Sequence, residues 1–229
     1  MRRRCFVALA GLAAACAPRD AAPRAEPRCP GPPIVEMGVA TYYDATGDGS
    51  CSFDASADHM IAALNAADYA RAAWCGACLA VAGPLGDVVV RVVDQCPACK
   101  HGDLDLSREA FAQIAPLSDG RTRIAWREVE CPVAGPLSYQ RKPGSNDDWT
   151  AFQLRNHRYA IAGLEARDAR GTYRALTRTD DNYFAGSGLG PGPYALRVSD
   201  IHGHTLEDPS VAIAPAAIAP GAGQFPACR

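Results

Sequence analysis

The fold follows most directly from two neighbouring stretches, Val92-Val93-Asp94-Gln95-Cys96-Pro97 and Leu104-Asp105-Leu106-Ser107. In the first stretch, a run of apolar strand residues ends at an acid. In the second, Asp105 stands between Leu104 and Leu106, and because side chains alternate along a strand, its carboxylate lies opposite the two leucines. If the leucines face a core, Asp105 faces outward. The pattern therefore predicts packed strands with carboxylates on their outer face.

Short strands are predicted through most of the remaining chain. Their signals cover residues 38–43, 78–82, 88–93, 122–129, 149–155, 157–164 and 194–198. Only two stretches are predicted to be helical, one after Ser56 and one beginning at Ser107, because each has a capping residue ahead of apolar positions. The 21 Gly and 18 Pro among 229 residues also favour strands and turns over helical bundles.

Composition and charge narrow the class of protein. Apolar residues make up 48% of the chain, enough for a packed core. Lys and Arg number 23 against 25 Asp and Glu, so we expect no nucleic-acid partner. The run Cys131-Pro132-Val133-Ala134-Gly135-Pro136 interrupts the strand pattern and divides the chain into a unit at 34–135 and a unit at 136–229. We expect a monomer.

The first residues form a predicted targeting segment at 1–16. Arg2-Arg3-Arg4 precedes an apolar run from Cys5 to Ala15, which is too short to span a bilayer. The segment ends either at a lenient lipobox with Cys16 as the lipidated residue or at an ordinary secretory cleavage site. Both alternatives place the chain outside the cytoplasm or in the cell envelope. Residues 17–33, rich in proline, are predicted to form a tether.

Eight cysteines remain once Cys5 and Cys16 are set aside. They are Cys29, Cys51, Cys75, Cys78, Cys96, Cys99, Cys131 and Cys228. The paired Cys-x-x-Cys spacings fit a four-thiolate zinc site, structural disulfides or redox-active thiols. Export favours disulfides, because an oxidising compartment consumes thiols. The spacing alone leaves the pairing open, and we expect no bound metal and no soluble cofactor.

Several fragments, in chain order, resemble the expansin family. Three of them, Gly38-Val39-Ala40-Thr41-Tyr42-Tyr43, Ala62-Ala63-Leu64-Asn65-Ala66-Ala67-Asp68-Tyr69 and the pair of stretches quoted first, resemble its first domain. Phe152-Gln153-Leu154-Arg155-Asn156-His157-Arg158-Tyr159 and the closing Gln224-Phe225-Pro226 resemble its second. The resemblance implies a mainly β chain: a six-stranded double-psi β-barrel related to the family 45 cellulases, followed by an immunoglobulin-like, carbohydrate-binding β-sandwich.

The resemblance also implies a polysaccharide groove on the barrel. Asp105 matches the general acid of the related cellulases, and Asp94 and Thr41 match two further groove positions. Tyr43, on the same strand as Thr41, is predicted to contact the polymer. From the residues alone, Asp105 could instead cap the helix beginning at Ser107, and Thr41 could be an ordinary strand threonine.

Hydrolysis with inversion needs two carboxyls about 6.5 to 9.5 Å apart, and the expansin family lacks the second. In the related cellulases an acid follows the strand as Thr-x-Tyr-x-Asp, whereas here Asp44 arrives one residue early, directly after Tyr43. We interpret Asp44 as a turn residue before Gly47. The sequence therefore predicts no ordinary cellulase activity.

Sugar binding by the second unit is predicted to rest on aromatic rings, because pyranose faces stack on them. The resemblance places Asp148 and Trp149 at a tandem tryptophan position and Asp181 at a third aromatic position, with Tyr183 two residues on. Trp149, Tyr183 and Lys142 are the predicted binding residues. Lys142 could be a plain surface lysine and Trp149 a core residue. With two rings replaced by acids, affinity for crystalline cellulose should be low.

By analogy with cysteine-rich expansins, the resemblance implies the pairs Cys51–Cys75, Cys78–Cys131 and Cys96–Cys99. Cys29 and Cys228 would then form the fourth pair.

Three functions remain open at this point. The first is an exported expansin-like protein that binds a β-glucan or related wall polymer and loosens noncovalent contacts without hydrolysis. The second is a lytic transglycosylase of the rare lipoprotein A type, which cleaves peptidoglycan with a single acid. The third is a carbohydrate-binding adhesin, for which Asp105 would be dispensable.

Overall fold

The computed structural model describes residues 34–227. The predicted targeting segment at 1–16 with Cys16, the predicted tether at 17–33 with Cys29, and Cys228 lie outside these residues. No helix in the described part of the chain is long and apolar enough to cross a membrane.

Six strands of the first unit close into a barrel. They are β1 (Glu36–Tyr43), β2 (Ile61–Asn65), β3 (Cys78–Gly83), β4 (Gly86–Cys96), β5 (Leu104–Ser107) and β6 (Thr122–Val129). Their order around the barrel is β1-β5-β2-β4-β3-β6, with the pairs β1–β5 and β2–β4 parallel. Two short helices, α1 (Ala66–Tyr69) and α2 (Arg108–Ile114), and a 3₁₀ turn at Leu117–Asp119 join the strands.

The barrel core obeys the alternation expected from the sequence. Leu104 and Leu106 are fully buried in the core, and Asp105 between them is only partly buried. The predicted helix start at Ser107 is correct, since its hydroxyl accepts a hydrogen bond from the backbone N–H of Ala110. Asp105 does not cap this helix.

The helix predicted after Ser56 is wrong. Residues Ile61–Asn65 form strand β2, and the short helix α1 begins only at Ala66. All five residues of β2 are buried, so the strand shows no alternation of apolar and polar residues. A continuous apolar run of this kind cannot be told from a buried helix by periodicity.

The second unit is a sandwich of two sheets. Its strands are β7 (Ser138–Arg141), β8 (Trp149–Arg155), β9 (Ile161–Arg167), β10 (Tyr173–Ala175), β11 (Thr177–Arg178), β12 (Phe184–Ser187), β13 (Tyr194–Asp200), β14 (Thr205–Val211) and β15 (Ile218–Pro220). One sheet has the order β10-β9-β13-β14 and the other β11-β12-β8-β7-β15. Tyr139 and Phe152 from one sheet share a core with Leu164 and Leu196 from the other. The predicted fold class, a mainly β chain with a double-psi barrel before an immunoglobulin-like sandwich, is confirmed.

Three disulfides brace the barrel side of the molecule. Cys51–Cys75, Cys78–Cys131 and Cys96–Cys99 are formed, which are three of the pairs that the resemblance implied. Because the four cysteines of the two Cys-x-x-Cys motifs are all oxidised, they supply no thiolates to a zinc ion. Within residues 34–227, no cluster of metal-binding side chains is found.

A pair of titratable side chains connects the barrel to the sandwich. Glu128 on β6 lies with its Oε2 3.3 Å from the Nε2 of His202, and both side chains are mostly buried. Burial raises the pKa of Glu128 from 4.5 to about 7. A backbone hydrogen bond from Ala160 lowers this pKa, and the charge of Asp200 raises it further. Burial also lowers the pKa of His202.

This pKa shift predicts a pH-dependent stability. A carboxyl whose pKa is higher in the folded state stabilises the fold below its ordinary value of 4.5, and that stability is lost as the pH rises to about 7. Glu128→Gln should remove this loss, because glutamine does not ionise. The free energy of unfolding of the variant, relative to that of the wild type, should therefore rise as the pH increases from 4.5 to about 7. Urea unfolding midpoints across this range measure the difference. Parallel pH profiles for the two proteins would contradict the prediction.

Candidate functional site

Four residues form a continuous row across the outside of the barrel. Thr41 on β1 pairs with Asp105 on β5, Asp105 pairs with Ala63 on β2, and Ala63 pairs with Asp94 on β4. Since directly paired residues point to the same face of a sheet, all four side chains lie on the outer surface. Two strand spacings, about 10 Å, separate the backbones of the two aspartates. Ala63, which lies between them, presents only a methyl group and is 3% exposed.

An irregularity in β4 brings Asp94 into this row. The register shifts between the pairs Ala62–Val92 and Ala63–Asp94, so Val93 is an extra residue on β4. Such a bulge changes which face the following side chain occupies. The sequence predicted an acid at this end of the strand, but the bulge that aims it depends on pairing with β2.

Asp105 has the properties of a proton-bearing group. The hydroxyl of Thr41 donates a hydrogen bond of 2.6 Å to its Oδ1. Burial raises the pKa of Asp105, the hydrogen bond from Thr41 opposes that rise, and the negative charge of Asp94 adds to it. A carboxyl of raised pKa keeps its proton nearer to neutral pH, where it can donate a hydrogen bond to a sugar oxygen.

Asp94 is held by the loop that follows β1. Its Oδ1 accepts hydrogen bonds from the backbone N–H groups of Ser50, at 2.7 Å, and Gln95, at 2.8 Å. Gly49 packs so closely that a β-carbon there would lie 2.6 Å from the Cγ of Asp94. Asp94 therefore has a fixed position and orientation, set by a glycine whose role the sequence analysis did not identify.

Tyr43 lies beside the row, two residues beyond Thr41. Its hydroxyl is buried and has no hydrogen-bond partner among residues 34–227. Burial raises the pKa of Tyr43, and the charges of Asp94, Asp105 and Asp48 raise it further. The phenol therefore stays neutral, and its hydroxyl has an unused hydrogen-bonding capacity beside the row. Asp48, on the loop, is an acid near the groove that sequence reasoning missed.

Asp44 does not join the row. It follows the last residue of β1, its side chain is 90% exposed, and its Oδ1 is 3.9 Å from the Nε of Arg108. The backbone turns here, with the N–H of Ala45 donating to the carbonyl of Tyr43. This placement agrees with the interpretation of Asp44 as a turn residue.

The predicted sugar-binding residues of the sandwich differ in their exposure to solvent. Trp149, the first residue of β8, is 38% exposed and therefore offers a ring to a ligand. Tyr183 is only 5% exposed, and the Nζ of Lys142 lies 4.5 Å from the centre of its ring. Lys142 also forms an ion pair with Asp181. The expectation that Tyr183 presents an open ring face is corrected, because Lys142 covers that ring.

The comparisons with known proteins identify the family. A family model described as lytic transglycolase matches residues 36–126. Expansin-YoaJ of Bacillus subtilis (strain 168) is 35% identical over 203 residues, which cover 84% of this chain and 87% of that protein. The chain belongs to the expansin family.

Other expansins agree with this assignment. Expansin-like protein 2 of Dictyostelium discoideum is 31% identical over 199 residues, covering 81% of this chain but only 49% of that longer protein. The apo expansin of Clavibacter michiganensis has a TM-score of 0.79 at 34% identity, covering 86% of this chain and 100% of that one. A mutant of the same expansin, in complex with cellohexaose, has a TM-score of 0.79 at 33% identity and the same coverage.

In this expansin chain, one loop connects the barrel row to the sandwich. The backbone of Ser50 binds Asp94, and the carbonyl of the next residue, Cys51, accepts hydrogen bonds from Gln153, at 2.9 Å, and Asn182, at 3.1 Å. Sequence reasoning did not assign either amide. A glutamine between Phe152 and Leu154 in a strand was the available signal, because a buried polar side chain needs a partner.

Proposed function

We propose that this protein is an exported wall-loosening protein, which binds a cell-wall polysaccharide in the barrel groove and disrupts noncovalent polymer contacts without hydrolysis. The observation that carries the proposal is the row on the barrel surface, with Thr41, Asp105 and Asp94 beside one another. Under this proposal, the protein acts outside the cell. Residues 34–135 would supply the groove and residues 136–229 the carbohydrate-binding unit.

The relative positions of the acids support loosening without hydrolysis. Inverting glycosidases place one carboxyl on each side of the scissile bond, so that a water molecule can attack opposite the acid. Here Asp94 stands beside Asp105 on the same barrel face, and its Oδ1 already accepts two backbone hydrogen bonds. Asp44 is turned out to solvent near Arg108. We therefore assign the role of general base to neither Asp94 nor Asp44.

Polysaccharide binding is supported by the cellohexaose complex of the Clavibacter expansin. It is also supported by the position of Trp149. Residues 149 and 153 point to the same side of β8, and Gln153 reaches the barrel loop from that side. Trp149 therefore lies on the sheet face that adjoins the barrel. A polymer seated along the groove could continue onto this ring.

The direct test applies the purified protein to cellulose-based wall strips under constant load. We expect the strips to extend while the supernatant gains no reducing ends. Release of reducing ends above the buffer control would contradict the proposal. Repeating the assay with Asp44→Asn and Asp48→Asn would then show which acid serves as the base.

A second function has one specific observation in its favour, the match of residues 36–126 to the family model described as lytic transglycolase. Such an enzyme could work with the single acid Asp105. Incubation with purified peptidoglycan and mass analysis for anhydro-muropeptides separates the two functions. Wall loosening predicts none of these products, and their appearance would establish the second function instead.

Trp149→Ala should weaken binding to insoluble cellulose by about tenfold to hundredfold, by analogy with the stacking of bases on aromatic rings. The reason is the loss of an exposed ring on which a pyranose face can stack. Depletion of protein from solution by cellulose measures the effect. Tyr173→Ala, on β10 of the opposite sheet, is the matched control and should bind as the wild type does. Equal binding by both variants would remove Trp149 from the site.

A further inference from the structure

A cleft of about 320 Å³ lies where the barrel meets the sandwich. This volume is within the range of small-ligand sites. Its charged lining residues are Asp54, Asp58, Arg91 and Arg155, and its apolar ones include Phe53, Ile61 and Val93. None of them belongs to the predicted site.

The cleft and the acid row involve the same two barrel strands, β2 and β4. Arg91 and Asp94 both lie on β4, and their partners on β2 are Ile61 and Ala63. Two register positions on β2 therefore separate the cleft from the acid row, which corresponds to about 7 Å along the strand. A sugar chain in the groove could place one of its substituents in the cleft.

Arg91 is the unusual residue of the cleft. Across the part of the chain that the structure describes, its guanidinium has no hydrogen-bond or ion-pair partner. Burial lowers the pKa of Arg91, and the charge of Asp58 opposes that change. A partly desolvated cation without a partner is costly, and an incoming anion relieves that cost.

The other charged groups of the cleft already have partners. Arg155 donates to Asp54 and to Gln153, each at 2.6 Å. Asp58 accepts a hydrogen bond from the backbone N–H of Met60. The Nη2 of Arg155 is buried without a hydrogen-bond partner among residues 34–227, so this nitrogen and the guanidinium of Arg91 are the donors that remain available to a ligand.

We propose that the Arg91 cleft binds the carboxylate of an acidic sugar carried by an otherwise neutral wall polymer. This inference rests on the proposed polysaccharide binding in the groove. A guanidinium donates two parallel hydrogen bonds to a carboxylate, a fit that a neutral hydroxyl does not match. The acids Asp94 and Asp48 along the groove would repel a polymer charged on every sugar. A polymer with an isolated carboxylate among neutral sugars would pair with Arg91 and be repelled little by the groove acids.

Two sources offer this chemistry: a uronic acid branch of a hemicellulose and the lactyl carboxylate of a muramic acid that carries no stem peptide. The experiment measures binding by calorimetry to xylotetraose, to a xylo-oligosaccharide of the same length that carries one glucuronic acid, and to the GlcNAc–MurNAc disaccharide. The proteins are the wild type, Arg91→Gln, and the control Arg167→Gln, which removes an exposed arginine from β9.

We expect the wild type and Arg167→Gln to bind one of the acidic probes about tenfold more tightly than xylotetraose. Arg91→Gln should lose that preference and keep the affinity for xylotetraose. The acidic probe that shows the preference identifies the source. No preference in the wild type, or a preference that survives in Arg91→Gln, overturns the inference while leaving the proposed function intact. Failure of every probe to bind would overturn this inference, and the wall-extension assay decides the proposed function separately.

Discussion

Replacing Asp105 by asparagine should reduce wall extension to the level of the buffer control, with little change in the fold or in cellulose binding. The carboxyl accepts the hydrogen bond from Thr41 and keeps its proton at higher pH than an exposed aspartate, because it is partly buried and near Asp94. Asparagine keeps the size and the hydrogen-bonding capacity but cannot donate an acidic proton. Extension of wall strips under load measures the activity, and depletion assays measure binding.

Two further variants show whether the effect is specific. Asp87→Asn removes an exposed acid from the far end of β4 and should extend the strips as the wild type does. Thr41→Val removes the hydrogen bond that opposes the rise in the pKa of Asp105, so the pH at which activity declines should move upward. Full extension by Asp105→Asn would show that this carboxyl is dispensable for loosening, whereas binding without extension by the wild type would favour the adhesin.

Removing the disulfide Cys78–Cys131 should lower the free energy of unfolding by about 4 kcal/mol, because the bond closes a long loop in the unfolded chain. The two cysteines are 53 positions apart, and the bond ties barrel strand β3 to the segment that leads into the sandwich. Alanine is the appropriate replacement, since both sulfurs are buried and a serine hydroxyl would need a partner. Urea unfolding followed by the fluorescence of the buried Trp126 reports on the barrel.

The Cys96–Cys99 pair supplies a matched control within the same protein. These cysteines are only 3 positions apart, so their replacement should cost about 1.5 kcal/mol. If loop closure determines the stabilisation, the longer loop must show the larger loss in the free energy of unfolding. Equal losses for the two double variants would show that local packing, rather than loop length, determines the stabilisation.

The candidate site was partly predictable because some of its features are local. The position of Asp105 follows from its two leucine neighbours, and the start of α2 follows from a serine ahead of apolar residues. The family resemblance then added the match of Asp94 and Thr41 to groove positions. None of these inferences needed knowledge of which strands are neighbours.

Other features could not be predicted, because they depend on residues far apart in the sequence. Tyr183 matched a position near the sugar platform, yet its ring is covered by Lys142, which lies on a different segment. Gln153 found its partner at Cys51, more than a hundred positions away. A pattern of residue types carries no signal for such contacts.

Local patterning was therefore sufficient for the strand-rich class, the outward carboxylate at Asp105 and the helix cap at Ser107, since alternation and capping involve residues within a few positions of one another. The other features of the site and fold depend on pairing between strands that are distant in the sequence. It made β2 a strand, aimed Asp94 through a bulge, and left Arg91 in a cleft without a partner among the described residues. Register and burial are set by packing across the whole barrel and sandwich, so these features appear only once the chain is folded.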